Sequence, residues 1–228
     1  MRLKITLIPE FERQGISINY NQHIATWLCK NIIASDSSLE RIIFDDVDCF
    51  TFSKLLIPGR KFAIIHDKIF IDSDRVELYF STIYEKIGEA LYHNAEKMYA
   101  LKIGERRFFV DEVKIFKEKR ISSKETFVTL SPITVSENGS YLFPNSNEYF
   151  LKIKEWLMRK AEKFGYEFED FFEMRVLKAK PKLIRVFDNA VRCLEMAFEV
   201  EGCESLLEIG YKTGFGKLNT FGFGMVKA

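Results

Sequence analysis

Hydrophobic and polar residues alternate over the first nine positions, MRLKITLIP, which place Leu3, Ile5 and Leu7 on one side. A period of two is typical of a half-buried strand, so the chain is predicted to begin with a β-strand. The period then changes. In NYNQHIATWLCKNIIAS the apolar residues from Ile24 to Ile32 recur every three or four positions, which predicts an amphipathic helix.

The rest of the first half contains short apolar runs followed by one more helical pattern. The runs are rich in β-branched and aromatic residues and predict strands. In chain order the patterns are strands in CFTFSKLLI, RKFAIIH, KIFID and RVELYFST, a helix in IYEKIGEALYHNAEKM and a strand in RRFFVDEVKIFK. The order strand, helix, strands, helix, strand is that of the ferredoxin-like split βαβ unit.

The second half shows the same order of elements without detectable repetition of the sequence itself. Its patterns are a strand in ETFVTLSPITV, a helix in NEYFLKIKEWLMRKAEKFG, a long hairpin in FFEMRVLKAKPKLIRVF and AVRCLEMAFEVEG, a helix in CESLLEIGYKTG and a strand in FGFGMVK. We therefore predict an α+β protein of two tandem ferredoxin-like (RRM-like) domains, residues 1–120 and 121–228. The polar stretch KRISSK lies at the boundary.

Composition narrows the functional classes. The net charge of +1 gives no overall basic field, so any contact with nucleic acid must be local. No apolar run approaches the roughly 20 residues that a membrane helix needs, and the start lacks the features of a signal peptide. The four cysteines have no zinc-ligand spacing, which favours buried reduced thiols and a cytoplasmic protein. No metal or cofactor site is predicted.

The last 19 residues, GYKTGFGKLNTFGFGMVKA, contain five of the twelve glycines and no acid. The spacing does not match a P-loop, since Leu218 stands where Ser or Thr is needed and no helix follows. A dinucleotide fingerprint and the RNP1 strand of RNA-recognition domains match only in part. Two explanations remain open: a loop that approaches a polyanion, or a tight connection between a helix and the last strand.

A second basic stretch, RVLKAKPKLIR, places Lys178, Lys180 and Lys182 on one face of a strand. Three ammonium groups in a row indicate an anionic partner. Lysine and proline are also common protections of an edge strand against pairing with other chains, and this alternative stays open. The three histidines are scattered and form no recognisable catalytic or metal-binding constellation.

Taken with these features, five segments make the chain resemble the CRISPR repeat-RNA endoribonucleases of the RAMP superfamily. The segments are INYNQHIATWLCKNI, FTFSKL, ETFVTLSPI, MRVLKAKPK and GYKTGFGKLNTFGFGMV. The resemblance implies two ferredoxin-like domains that bind precursor CRISPR RNA through the glycine-rich loop and the basic hairpin. The RNA-binding residues that it implies are Lys178, Lys180, Lys182, Lys212, Gly214, Gly216, Lys217 and Asn219.

Family members that cut RNA do so without a metal or cofactor, by attack of the ribose 2′-hydroxyl on the adjacent phosphate to leave a 2′,3′-cyclic phosphate. The resemblance implies a triad of Tyr, His and Lys for this chemistry, and the present sequence departs from it. Cys29 stands at the Tyr position, Ile42 or Ile43 at the His position, and Asp48 close to the Lys position. All three members of the triad are therefore missing.

Two hypotheses follow: a cutter whose chemistry has moved to other groups, or a member that holds repeat RNA without cutting. For a relocated site the candidate catalytic residues are His23, Lys30 and Lys54. His23 and Lys30 are seven residues apart and share one face of the first predicted helix. A structural subunit of a larger CRISPR effector complex, associated with other subunits, is a third hypothesis, and a homodimer stays open.

Overall fold

The computed structural model describes residues 1–45 and 47–228, and both halves contain the predicted helices and most of the predicted strands. In the first half these are β1 (Arg2–Pro9), β2 (Gly15–Ser17), α1 (Asn21–Ser35), α2 (Glu40–Ile43), β3 (Phe50–Phe52), β4 (Phe62–Ile65), β5 (Lys68–Ile71), β6 (Val76–Thr82), α3 (Glu85–His93), β7 (Leu101–Ile103) and β8 (Arg106–Phe116).

The main sheet of the first half has the order β3-β6-β1-β8-β7 and is antiparallel. Without the short β7, this order is the ferredoxin-like one, and α1 and α3 contact each other and the sheet. Leu3, Ile5 and Leu7 are fully buried, as are Ile24 and Leu28 of α1. The apolar residues whose patterns predicted β1 and α1 thus lie in one core.

The second half consists of β9 (Lys124–Thr129), β10 (Ser136–Glu137), β11 (Ser140–Tyr141), α4 (Asn147–Phe164), β12 (Phe172–Val186), β13 (Asn189–Gly202), α5 (Glu204–Thr213) and β14 (Val226–Lys227). Its sheet has the order β12-β13-β9-β14, again ferredoxin-like, with β12 at one edge. The predicted α+β fold of two tandem ferredoxin-like units is therefore confirmed.

The structure differs from the sequence pattern mainly in short elements. The strand predicted over FGFGMVK is reduced to β14, because Gly222 and Gly224 have φ of 76° and 79° and turn the chain. The strand predicted over ETFVTLSPITV ends at Thr129. A separate three-stranded sheet, β2-β5-β4, forms beside the first domain, and the sequence did not predict its strand β2.

Each half has its own large apolar cluster, one built from residues 3–113 and the other from residues 121–226. The boundary at residues 120 and 121 stays a prediction. Arg2 links the halves: its buried guanidinium donates to the carbonyl oxygens of Tyr211 (2.5 Å) and Val226 (2.8 Å). The glycine-rich tail is also bound to the first half, since Thr51 Oγ1 donates to the carbonyl of Phe223 at 2.9 Å.

All four cysteines are free thiols. Within residues 1–45 and 47–228, no helix has the length and apolar character needed to cross a membrane. The same part of the chain contains no group of three His, Cys, Asp or Glu side chains that could hold a metal ion.

Candidate nucleic-acid interface

The glycine-rich loop begins where α5 ends, and its glycines fit closely against the protein's own backbone. Gly216 has a φ of 80°, and a Cβ at this position would lie 2.5 Å from the carbonyl oxygen of Thr134. A Cβ on Gly214 would lie 2.6 Å from the side-chain nitrogen of Asn219. Both glycines are buried. Packing within the chain is therefore enough to require glycine at the two positions. This agrees with the sequence-based alternative of a tight connection between a helix and the last strand.

Asn219, a predicted RNA-binding residue, is fully buried and holds the loop together. Its side-chain nitrogen donates to the carbonyls of Phe215 (3.2 Å) and Phe223 (2.9 Å). Its side-chain oxygen accepts a hydrogen bond of 2.7 Å from Lys160 Nζ. The side chain of Asn219 is thus committed within the protein, and its backbone carbonyl accepts a further hydrogen bond of 2.9 Å from the N–H of Gly222.

Lys160 of α4 is a buried cation that sequence reasoning missed. Its ammonium also donates to Thr213 Oγ1 (3.1 Å) and to the carbonyl of Gly214 (2.8 Å). Burial lowers the pKa of Lys160 to about 8, against the opposing charges of Asp48 and Cys49. A signal was present in the sequence, because Lys160 falls on the apolar face of α4, three positions after the buried Leu157.

Asp48 supports the same loop from the first domain. Its carboxylate accepts hydrogen bonds from the backbone N–H of Asn219 (3.0 Å) and from Thr220 Oγ1 (2.9 Å). The resemblance places the catalytic lysine of the family close to Asp48. In this chain the position therefore has a structural function, as one of two charged groups, Asp48 and Lys160, that bracket Asn219.

The other two triad positions lie in apolar surroundings. Cys29 packs against the first core, and burial raises the pKa of its thiol to about 11. Ile42 packs against the same core and lines a cavity of about 140 Å³ together with Cys49, Tyr84 and Lys163. Neither Cys29 nor Ile42 offers a group that exchanges a proton near neutral pH.

The exposed part of the glycine-rich loop carries one of its two predicted basic residues. Lys217 is exposed, and its Nζ lies 4.8 Å from the ring centroid of Trp156 on α4. Lys212 is half-buried and pairs with Glu208 at 2.7 Å, one turn earlier on α5. Lys212 also lines a different cavity from Lys217. Lys217 is the better placed of the two to contact a phosphate.

The basic hairpin is the second part of the candidate interface. Lys178 and Lys180 are exposed on the edge strand β12, whereas Lys182 is half-buried and lies 3.7 Å from the carboxylate of Glu195. The same carboxylate accepts a hydrogen bond of 2.5 Å from Lys54. Partial burial acts to raise the pKa of Glu195, but the hydrogen bond and charge of Lys54 outweigh it, and the pKa is lowered.

The three candidate catalytic residues do not come together. Lys54 lies at the hairpin with Glu195, as an ammonium that is already paired. His23 and Lys30 line a separate groove on the outer face of α1, with a volume of about 840 Å³. Lys54 and Lys182 thus share the carboxylate of Glu195, and His23 and Lys30 line the groove on α1 instead.

Comparison with known proteins identifies relatives along the whole chain. Residues 15–114 match the family model "CRISPR-associated protein Cas6, N-terminal", and residues 116–228 match "CRISPR associated protein Cas6, C-terminal". The chain is 32% identical over 238 residues to the "Putative CRISPR-associated endoribonuclease-like protein Cas6nc" of Pyrococcus horikoshii, a match that covers 100% of this chain and 99% of the relative.

Two further relatives extend the comparison. The "CRISPR-associated endoribonuclease Cas6" of Pyrococcus furiosus is also 32% identical, with 100% of this chain and 89% of the relative covered. A solved structure described as "An RAMP protein binding different RNA substrates" has a TM-score of 0.90 and 31% identity, covering 100% of this chain and 98% of the other.

Proposed function

This chain belongs to the Cas6 family, and we propose that it binds CRISPR repeat RNA within precursor CRISPR RNA without cutting it efficiently. The observation that carries the proposal is the chemistry of the three triad positions. They hold a thiol with a pKa of about 11, an aliphatic side chain, and a carboxylate bound to the glycine-rich loop.

Metal-independent cleavage needs a general base for the 2′-hydroxyl, a general acid for the leaving oxygen and a cation for the charge on the phosphorane. At pH 7 a thiol with a pKa of about 11 is ionised in about one molecule in ten thousand, so Cys29 is a poor base. Asp48 brings a negative charge where the reaction needs a positive one. The usual location of the chemistry therefore lacks all three functions.

Binding is supported by the exposed lysines. Lys178 and Lys180 lie side by side on the edge strand β12, and Lys217 lies at the exposed part of the glycine-rich loop. Phosphate contacts by lysine dominate the affinity of most proteins for nucleic acid. The side chains of these three residues are exposed and can reach a phosphate, unlike the buried groups of the loop.

An endoribonuclease Cas6 and an endoribonuclease-like Cas6 are equally similar to this chain, at 32% each. Overall identity therefore does not separate cutting from binding, and the proposal is supported by the side chains at the triad positions instead. A cytoplasmic location belongs to the same proposal, because the four free cysteines are typical of a reducing compartment.

The test is incubation of the full chain with end-labelled CRISPR repeat RNA in EDTA, beside the same RNA with a 2′-deoxyribose at the expected cut. We expect retention of the RNA in a filter-binding assay and no product. Product that survives EDTA and disappears with the deoxy substitution would instead establish an enzyme with relocated groups. The first variants would then be His23→Ala, Lys30→Ala and Lys54→Ala, followed by Tyr84→Phe and Lys163→Ala.

A restoration experiment complements the assay. The double variant Cys29→Tyr, Ile42→His puts two of the triad side chains back at their aligned positions. If binding is intact and only the chemistry is missing, this variant should gain cutting activity over the parent chain. Co-purification with other CRISPR proteins at high salt would favour the effector-subunit hypothesis.

A further inference from the structure

The outer face of α1 carries a groove with an unusual combination of side chains. It has a volume of about 840 Å³ and lies between α1, the segment before β7 and the turn between β12 and β13. Among the described residues that line it, none is acidic. The basic and aromatic members are His23, Lys30, Lys102, Trp27, Tyr99 and Phe187.

Two of the aromatic rings are exposed although the backbone beneath them is fixed. Tyr99 is 62% exposed and Phe187 is 58% exposed. The backbone of Tyr99 accepts a hydrogen bond of 2.5 Å from the Trp27 indole and donates one of 2.9 Å to Asn31 Oδ1. The backbone N–H of Phe187 donates to Gln22 Oε1. Side chains of α1 therefore position both rings at the rim of the groove.

Phe187 is also held in a backbone conformation that suits glycine or asparagine better. It has a φ of 51° in the turn of the β12–β13 hairpin. One edge of its ring contacts Phe221, with centroids 5.7 Å apart, and the rest faces solvent. A bulky exposed side chain at such a position indicates that the ring itself is used.

Exposed rings interspersed with lysines are the chemistry of single-stranded nucleic-acid binding, in which bases stack on aromatic side chains and cations contact phosphates. A small apolar ligand would gain nothing from Lys30 and Lys102. An acidic peptide would gain nothing from two flat rings. The charge and shape of the groove together favour an unpaired nucleic-acid strand.

We propose that the α1 groove is a second RNA subsite, which binds unpaired nucleotides by stacking on Tyr99 and Phe187 and by phosphate contacts with Lys30 and Lys102. The subsite rests on the proposed function, because the strand would continue from the RNA held at the basic hairpin. Phe187 follows Lys182 by five residues and lies just after the end of β12, so the chain separates them by at most about 17 Å and one strand can reach both.

The probe is an unstructured eight-nucleotide RNA of uridines with one central 2-aminopurine, whose fluorescence falls when the base stacks. With the full chain we expect quenching on binding. Tyr99→Ala should reduce the quenching and weaken affinity about tenfold, since only the ring of Phe187 then remains for stacking, and the ring-preserving control Tyr99→Phe should change neither. Lys30→Ala with Lys102→Ala should reduce the slope of log K against log salt by about 1.4, whereas the exposed control Lys68→Ala should not.

Quenching that is undiminished in Tyr99→Ala would overturn the proposal, as would displacement of the probe by an octaglutamate peptide as effectively as by unlabelled RNA. Failure of the subsite can be distinguished from failure of the proposed function. If Tyr99→Ala has no effect while Lys178→Ala with Lys180→Ala weakens repeat binding, the subsite fails and the proposed function stands. If the chain binds CRISPR repeat RNA no better than scrambled RNA but the probe is still quenched through Tyr99, the subsite stands and the proposed function fails.

Discussion

Replacement of Lys160 by methionine removes a buried charge and leaves the hydrocarbon part of the side chain. The change removes the ammonium that donates a hydrogen bond to the carbonyl of Gly214 and to Asn219 Oδ1. An unsatisfied buried acceptor costs about 1–3 kcal/mol, so the two together cost about 2–6 kcal/mol. This cost makes the Lys160→Met variant less stable than the parent chain.

An opposite contribution arises from the desolvation of the ammonium. The pKa of Lys160 falls from 10.5 to about 8 on folding, and a difference of about 2.5 units corresponds to about 3 kcal/mol. Below pH 8 both the folded and the unfolded chain hold the proton, and the folded chain bears this cost in full. At neutral pH the two contributions largely offset each other, and the net change in the free energy of unfolding is small.

The pH dependence is therefore the decisive measurement. Between pH 8 and 10.5 the unfolded chain binds more protons at this site than the folded chain, so stability rises with pH. Urea unfolding of the parent and of Lys160→Met, from pH 7 to pH 10, should show the parent gaining about 1.4 kcal/mol per pH unit on the variant above pH 8. Other groups titrate equally in both proteins and cancel in the difference. A difference that stays constant from pH 7 to pH 10 would refute the reasoning.

Three other predictions concern the interface and its support. Lys178→Ala with Lys180→Ala should weaken binding of repeat RNA and reduce its salt slope by about two at most; an unchanged slope would leave β12 as a protected edge strand. Gly216→Ala should lower the free energy of unfolding by at least about 1–3 kcal/mol, because its Cβ would meet the Thr134 carbonyl; an unchanged urea midpoint would contradict this. Arg2→Met should cost about 2–6 kcal/mol, since it strands two buried carbonyls, and calorimetry that shows no loss would exclude this function of Arg2.

The fold could be predicted from sequence because local periodicity determined most of its long elements. The alternation around Leu3 and Leu7 and the helical spacing from Ile24 to Ile32 each required one buried face, and the structure supplies it. The glycine-rich tail could not be predicted in the same way. Its conformation depends on the contact that a Cβ at Gly216 would make with Thr134, and residues far apart in sequence create that constraint.

The candidate interface also has one part that local periodicity predicts and one part that depends on residues far apart in sequence. The basic face of β12 follows from alternation alone, whereas the α1 groove does not. His23 and Lys30 share a helical face, but the rings beside them come from distant segments. The bonds that position Tyr99 and Phe187 span 68 and 165 positions in sequence. Periodicity describes one element at a time and gives no information on such pairings.

Asp48, which lies close to the position that the family resemblance gives to a lysine, has a structural role in this chain. In this chain the carboxylate binds Asn219 and Thr220 and attracts the buried ammonium of Lys160. A lysine at position 48 would remove those acceptors and add a second cation near Lys160. Restoring the full triad would therefore weaken the loop that the proposed RNA contact of Lys217 depends on. The carboxylate at position 48 therefore supports the loop that carries Lys217, and the proposed RNA contact of Lys217 depends on that support.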